Sequence, residues 1–234
     1  MSESPPVPSA PLPPPPTLAR LRAMGAALGS LDYVRFDQTL AAARRDIGPH
    51  PDLTQSETAH RMRRWLNAWG CRLRYPRDGD ETDPFVSGVA HWWADWQPRL
   101  PARGRALDRL GDPSLSVLAD AYDTLGQLPV SLPGRRRRRV GPTAASKTLH
   151  FLRPEAALPW DAQIAGRFAA GRGRDGYLAH LDRSRTWART IVAEAARNGI
   201  PRRQISIDVR RPNSSVAKLI DEYLYQVITR DRTF

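Results

Sequence analysis

Two side chains with complementary chemistry lie close together in the middle of the chain, a lysine at 147 and an aspartate at 161. Lys147 and Lys218 are the only lysines, although the chain holds 36 Lys+Arg residues. A lysine amine becomes a nucleophile where burial or a neighbouring cation disfavours its charged form. Asp161 follows Pro159-Trp160 and precedes a short helical run, so it reads as a helix N-cap. A carboxylate there accepts backbone N–H bonds and faces the positive end of the helix dipole. His150 lies one helical turn after Lys147, where it could assist proton transfer. The plainer readings stay open: Asp161 as a cap alone, Lys147 as a surface or ion-pair residue, His150 as a half-buried helix residue. The other histidines, His50, His60, His91 and His180, form no HxxxH pair, and Cys71 is the lone cysteine. Neither a metal site nor an internal disulfide is expected. There is no nucleophile elbow, phosphate-binding glycine loop or dinucleotide fingerprint.

The elements that must position these residues read as helices. Gly141-Pro142 opens one and Pro154 stops it; Asp161 opens the next. Residues 140–168 therefore read as a hairpin of two helices, with Lys147 and Asp161 near its centre. Upstream, apolar residues at steps of three or four mark a helix from Leu18, one through Phe36, Leu40 and Ile47, and one from Thr54 or Ser56 to Gly70. Asp83-Pro84 opens a helix carrying Phe85, Val89, Trp92, Trp93 and Trp96. A short helix at 105–111 precedes a longer one capped by Asp112-Pro113. Downstream, one helix spans about 175–198. Residues 204–209 alternate like a strand or form a short helix, and a last amphipathic helix begins near Ser214. Asp221 or Glu222 on that helix is expected to clamp the basic face of the arginine run, with a second catalytic carboxylate as the lesser alternative. The tryptophans of the two upstream helices read as core, with a minority reading in which one or two line a base pocket.

The chain of 234 residues carries a formal net charge of +12. A run of five arginines, Arg135, Arg136, Arg137, Arg138 and Arg139, supplies part of it. Such an excess points to a polyanion, with nucleic acid the commonest. A coding bias towards arginine and a merely solvated loop are the alternatives. Residues 1–16 hold eight of the 22 prolines and predict a disordered, partly polyproline tail. No run of 18 apolar residues and no signal-peptide pattern occurs, so an intracellular, cytoplasmic protein without a membrane partner is expected. The expectation is an all-α, multi-helix globular domain over 18–234 behind a disordered tail over 1–17.

The central segment resembles the helix-hairpin-helix DNA glycosylase superfamily, in particular bacterial proteins related to 8-oxoguanine glycosylases. Val140-Gly141 is similar to the turn that opens the superfamily's key helix. Leu158-Pro159-Trp160-Asp161 is similar to its Val-Pro-x-Asp element. The run Ala145-Ser146-Lys147-Thr148-Leu149-His150-Phe151 looks like that of small bacterial members. The likeness covers about 30 residues, and it departs from the pattern twice. Thr143 stands where the best-known relatives place their lysine, with Lys147 one turn later on the same face. Arg139 replaces the first glycine of the usual turn.

The resemblance implies an enzyme that flips a base out of the stack and cleaves its glycosidic bond. Asp161 would stabilise the oxocarbenium-like sugar, and Lys147 would attack it in a bifunctional mechanism. Arg135 to Arg139, Gly141 and Thr143 would contact DNA, the turn at 140–142 through backbone N–H groups. His150 and Trp160 would line the substrate pocket. No cofactor is implied. A helical protein that binds nucleic acid without catalysis is the alternative.

Overall fold

The computed structural model describes residues 12–28, 32–48, 50–76, 80, 82–132 and 137–234; for 32–38 only the backbone is described. The described residues form ten α-helices and no strand. The helices are α1 (Leu18–Ala27), α2 (Asp32–Ile47), α3 (Ser56–Ala68), α4 (Pro84–Trp96), α5 (Asp112–Gln127), α6 (Pro142–Leu152), α7 (Ala162–Arg167), α8 (Arg174–Arg197), α9 (Ile205–Asp208) and α10 (Val216–Leu224). The chain is all-α, as its periodicity implies.

One apolar cluster runs from Leu18 to Val227. The 24-residue α8 packs on α5 and α10, α5 packs on α6, and α3 meets α2, α4 and α6. Trp65, Trp92, Trp93 and Trp96 are buried in this cluster, which is the expected outcome for aromatic residues at helical spacing. Trp92 also donates its indole N–H to the Ala121 carbonyl, so its polar atom is satisfied.

Local chemistry sets most helix starts. The Thr17 hydroxyl accepts from Arg20 N–H at α1, and Asp83 caps α4, with Pro84 at the first position. The Asp83 carboxylate also holds the buried Arg63 guanidinium at 2.7 Å.

Several expectations change. The short helix at 105–111 is a 3₁₀ turn over Leu107–Arg109. Gln55, which makes no side-chain capping bond, stands at the cap of α3, and Thr54 is turned to Asp52. Residues 204–209 resolve as the helical α9. Of the proline-rich tail, residues 1–11 lie outside the described residues. Its last part is docked: Pro13 and Pro16 are buried, and the Pro14 carbonyl accepts from the Tyr223 hydroxyl at 3.0 Å.

The expected two-helix hairpin over 140–168 is also modified. α6 takes its main contacts from α5 and α3, whereas α7 lies against the π-helical turn Tyr225–Thr229 that extends α10. α6 and α7 are joined through one buried hydroxyl rather than by helix packing.

Candidate functional site

That hydroxyl belongs to Ser146, which is fully buried. Its Oγ accepts the Trp160 N–H at 2.8 Å, and the Thr143 and Trp160 carbonyls lie at 3.1 and 3.3 Å for its own proton. The contact pins the strand of chain before α7 to the middle of α6. Asp161 then follows immediately and caps α7, its Oδ1 accepting from Gln163 and Ile164 N–H at 2.9 Å each. Both bonds end on Oδ1, so capping does not use Oδ2. Around this join the chain is locked further. His150 Nδ1 meets the Ala157 carbonyl at 2.9 Å, and the Tyr177 hydroxyl donates to the Leu158 carbonyl at 3.0 Å.

Lys147, next to Ser146, points into the same region. Its Nζ donates to the Trp69 carbonyl at 2.8 Å and sits 5.1 Å from the Trp69 ring centroid. Trp69 is the C-cap of α3, where the chain turns through Gly70 at φ +76°. A cation at a helix C-terminus satisfies a carbonyl left without an intrahelical partner. Among the described residues Lys147 makes no ion pair with a carboxylate.

The second lysine arrives from α10. The Ser215 hydroxyl accepts the Lys218 N–H at 3.0 Å and donates to the Pro154 carbonyl at 2.6 Å. This ties the start of α10 to the loop after α6. Lys218 Nζ lies 5.7 Å from the Trp69 ring centroid and 2.8 Å from Asp221 Oδ2.

Lys147, Asp161, Lys218 and Asp221, with Trp69 and Tyr225, line one cavity of about 120 Å³. That is roughly four waters' worth at ~30 Å³ each. It is below the ~300–1,000 Å³ of ordinary small-molecule sites, so it accommodates one reacting group while the rest of a ligand stays outside.

The structure thus brings together Lys147 and Asp161 and leaves other expected site residues elsewhere. Trp160 is fully buried and stacks on His180 with centroids 4.4 Å apart; it does not line the cavity. His150 is buried on α6, and burial, aided by the Lys218 charge, pushes its imidazole down to about 3. An imidazole held neutral and out of solvent is a poor proton shuttle at neutral pH. The backbone of the turn is also committed. Val140 N–H donates to the Leu128 carbonyl at 3.0 Å and Gly141 N–H to the Gly126 carbonyl at 2.9 Å. Pro142 has no N–H, so residues 140–142 offer no amide to a phosphate. Gly141, at φ +80°, serves to turn the chain into α6. The Thr143 hydroxyl accepts from Arg172 at 2.6 Å.

Arg135 and Arg136 lie outside the described residues. Arg137, Arg138 and Arg139 are exposed. Arg139 bonds to Gln127, and Arg138 lines a different cleft, of about 410 Å³, beside Arg74 and Tyr75. The expected clamp between the arginine run and Asp221 or Glu222 does not form among the described residues. Asp221 pairs with Lys218, and Glu222 with Arg211 and Ser214.

No motif in the sequence singles out Ser146 or Lys218 as a site residue, and Asp221 stands there only as the lesser alternative of a second catalytic carboxylate. For Lys218 a signal existed, because it is the other lysine of an arginine-rich chain. Among the described residues no group of three or more His, Cys, Asp or Glu is placed to hold a metal. Among the described residues no helix is long and apolar enough to cross a membrane. Comparison of the chain with protein-family models, with curated proteins and with solved structures finds no match.

Proposed function

We propose that the protein is a DNA-base glycosylase-like enzyme that uses Lys147 as its amine nucleophile and Asp161 as its charge-stabilising carboxylate. One observation carries this reading. Both lysines of an otherwise arginine-based chain meet Asp161 and Asp221 at one cavity. For holding a surface phosphate, arginine serves as well or better; for attack on carbon it cannot serve, because its guanidinium stays protonated. A lysine kept at such a place speaks for amine chemistry. The positive net charge and the exposed Arg137, Arg138 and Arg139 suit a polyanionic substrate.

In this mechanism a nucleotide leaves the stack and its sugar enters the cavity. Nζ of Lys147 bonds to the anomeric carbon while the glycosidic bond breaks, and the base departs with the bonding pair. Positive charge on the sugar faces Asp161 Oδ2. The proton lost from Nζ passes through the carboxylate to the departing base. The bond between the anomeric carbon and the ring oxygen then breaks with its electron pair on oxygen, which takes up a proton from solvent, and the Nζ lone pair forms the iminium.

The test uses duplex DNA carrying 8-oxoguanine, with borohydride as the trap. A covalent protein–DNA adduct is expected from the wild type and none from Lys147→Ala. Asp161→Asn retains a good N-cap, so it should stay folded while base release falls ~100-fold or more. Base release at the wild-type rate by folded Asp161→Asn protein would sink the mechanism.

A second reading, a nucleic-acid-binding protein without catalysis, has its own support. The cavity is small, and the Lys147 amine already caps α3 through the Trp69 carbonyl. It predicts DNA binding that weakens steeply with salt, with no base release and no trapped adduct.

A further inference from the structure

We infer a second site, independent of the lysine cavity: a cleft beside the end of α4 in which Arg103 and Arg153 take a phosphate group. The cleft holds about 730 Å³, and its walls include His50, Asp52, Trp93, Gln97, Arg103 and Arg153. It has no lining residue in common with the lysine cavity. α6 links the two, with Lys147 in its middle and Arg153 as its C-cap.

Arg153 is 7% exposed. Its guanidinium donates to the Pro101 and Leu152 carbonyls and lies 5.7 Å from the Trp93 ring centroid. Arg103 contributes a buried Nη1 that has no hydrogen-bond partner. Neither guanidinium forms an ion pair among the described residues. Asp52, the carboxylate of the cleft, is engaged in its own turn. Its Oδ1 accepts from the Thr54 N–H and hydroxyl, and its Oδ2 from Gln55.

Two like charges are therefore held close together and partly out of water, with one buried donor nitrogen left without a partner. The cost is visible in Arg153, whose guanidinium is pushed down to about 10 by burial and then by the Arg103 charge. Arg103 is lowered by burial as well. An anion between them removes the repulsion. The guanidinium fork matches tetrahedral oxyanions and can bind them bidentately. Two guanidinium groups, set against one carboxylate that is already engaged in its own turn, suit an anionic phosphate group. The volume leaves room for a group attached to the phosphate, against Trp93.

The phosphate can come from a free nucleotide or from a DNA backbone, and the experiment separates the two. Melting of the full-length protein is followed against inorganic phosphate and deoxyadenosine monophosphate, and duplex DNA binding is titrated against salt. For a free ligand, the melting temperature rises saturably with ligand, and Arg103→Gln weakens the apparent affinity at least tenfold. For a backbone phosphate, the small anions give no saturable rise, and Arg103→Gln lowers the salt slope of duplex binding by about 1. Either result supports the site. Borohydride trapping at saturating 8-oxoguanine duplex is read separately and stays at the wild-type level in Arg103→Gln, which separates failure here from failure of the glycosylase reading. Arg103→Lys restores part of the affinity, because charge returns without the fork. Wild-type phosphate response and wild-type salt slope in folded Arg103→Gln protein would overturn the proposal.

Discussion

Asp221 and Glu222 are neighbours on α10 and both pair with a cation, yet they end in opposite situations. Glu222 is fully buried, with Arg211 Nε at 2.9 Å and the Ser214 hydroxyl at 3.1 Å from its two oxygens. The charge is surrounded by partners on a closed face of the helix, which is what a structural ion pair needs. Asp221 pairs with Lys218 at 2.8 Å beside the cavity that also receives Lys147 and Asp161. The first arrangement leaves no room for anything else. The second holds amines and carboxylates around a space. A carboxylate–cation pair is enclosed in one place and borders a cavity in the other, and the difference lies in which helix face meets the void.

Variants can break or sharpen this contrast. The largest effect is expected at the closed pair. Glu222→Ala leaves the largely buried Arg211 guanidinium without its carboxylate and should cost about 3 kcal/mol, read as a loss of urea-unfolding stability. A cost under 1 kcal/mol would remove the distinction between the two pairs. Ser146→Ala comes next. It leaves the buried Trp160 N–H unsatisfied, at about 1–3 kcal/mol, and frees Asp161 from α6. Wild-type stability together with wild-type trapping would show that the Ser146 contact does not position the site.

A third prediction concerns pH. Burial pushes both His150 and His180 down to about 3, against an ordinary value near 6.5. The unfolded chain therefore binds more protons than the folded one between these values. Stability is full above about pH 6.5 and falls as the pH drops towards 3, by up to about 1.4 kcal/mol per pH unit for each imidazole. His180→Phe, which keeps a ring against Trp160, should remove one imidazole's share of that slope; an unchanged slope would refute its origin. The smallest stability effect is expected at the open site. Asp161→Asn keeps a good capping residue, so a change of only about 0.5 kcal/mol is anticipated, while base release is lost. A large destabilisation would mean that Asp161 is part of the frame.

Much of the frame was legible in the sequence. Gly141-Pro142, Asp83-Pro84 and Asp161 each mark a helix start by local chemistry, and each does so in the structure. Asp161 as a cap was readable because its partners, the Gln163 and Ile164 N–H groups, lie two and three residues away. Trp160 misled, since an aromatic beside a candidate catalytic residue suggests a pocket wall, and its ring is instead stacked on His180 from α8. The turn at 140–142 misled in a related way. Its amides pair with carbonyls of Gly126 and Leu128 across the α5–α6 loop, a pairing that no local pattern announces.

The sequence by itself determined the helical class, most helix boundaries and the scarcity of lysine, because propensity, capping and periodicity act over a few residues. Only the tertiary structure decided that Lys147 and Lys218, 71 positions apart by their numbering, share the face of Trp69. That meeting depends on α3, α6 and α10 packing together, with Ser146 pinning the Asp161 segment and Ser215 pinning α10. Long-range packing of this kind is set by how buried faces fit one another, a property of the assembled core rather than of any single stretch of chain.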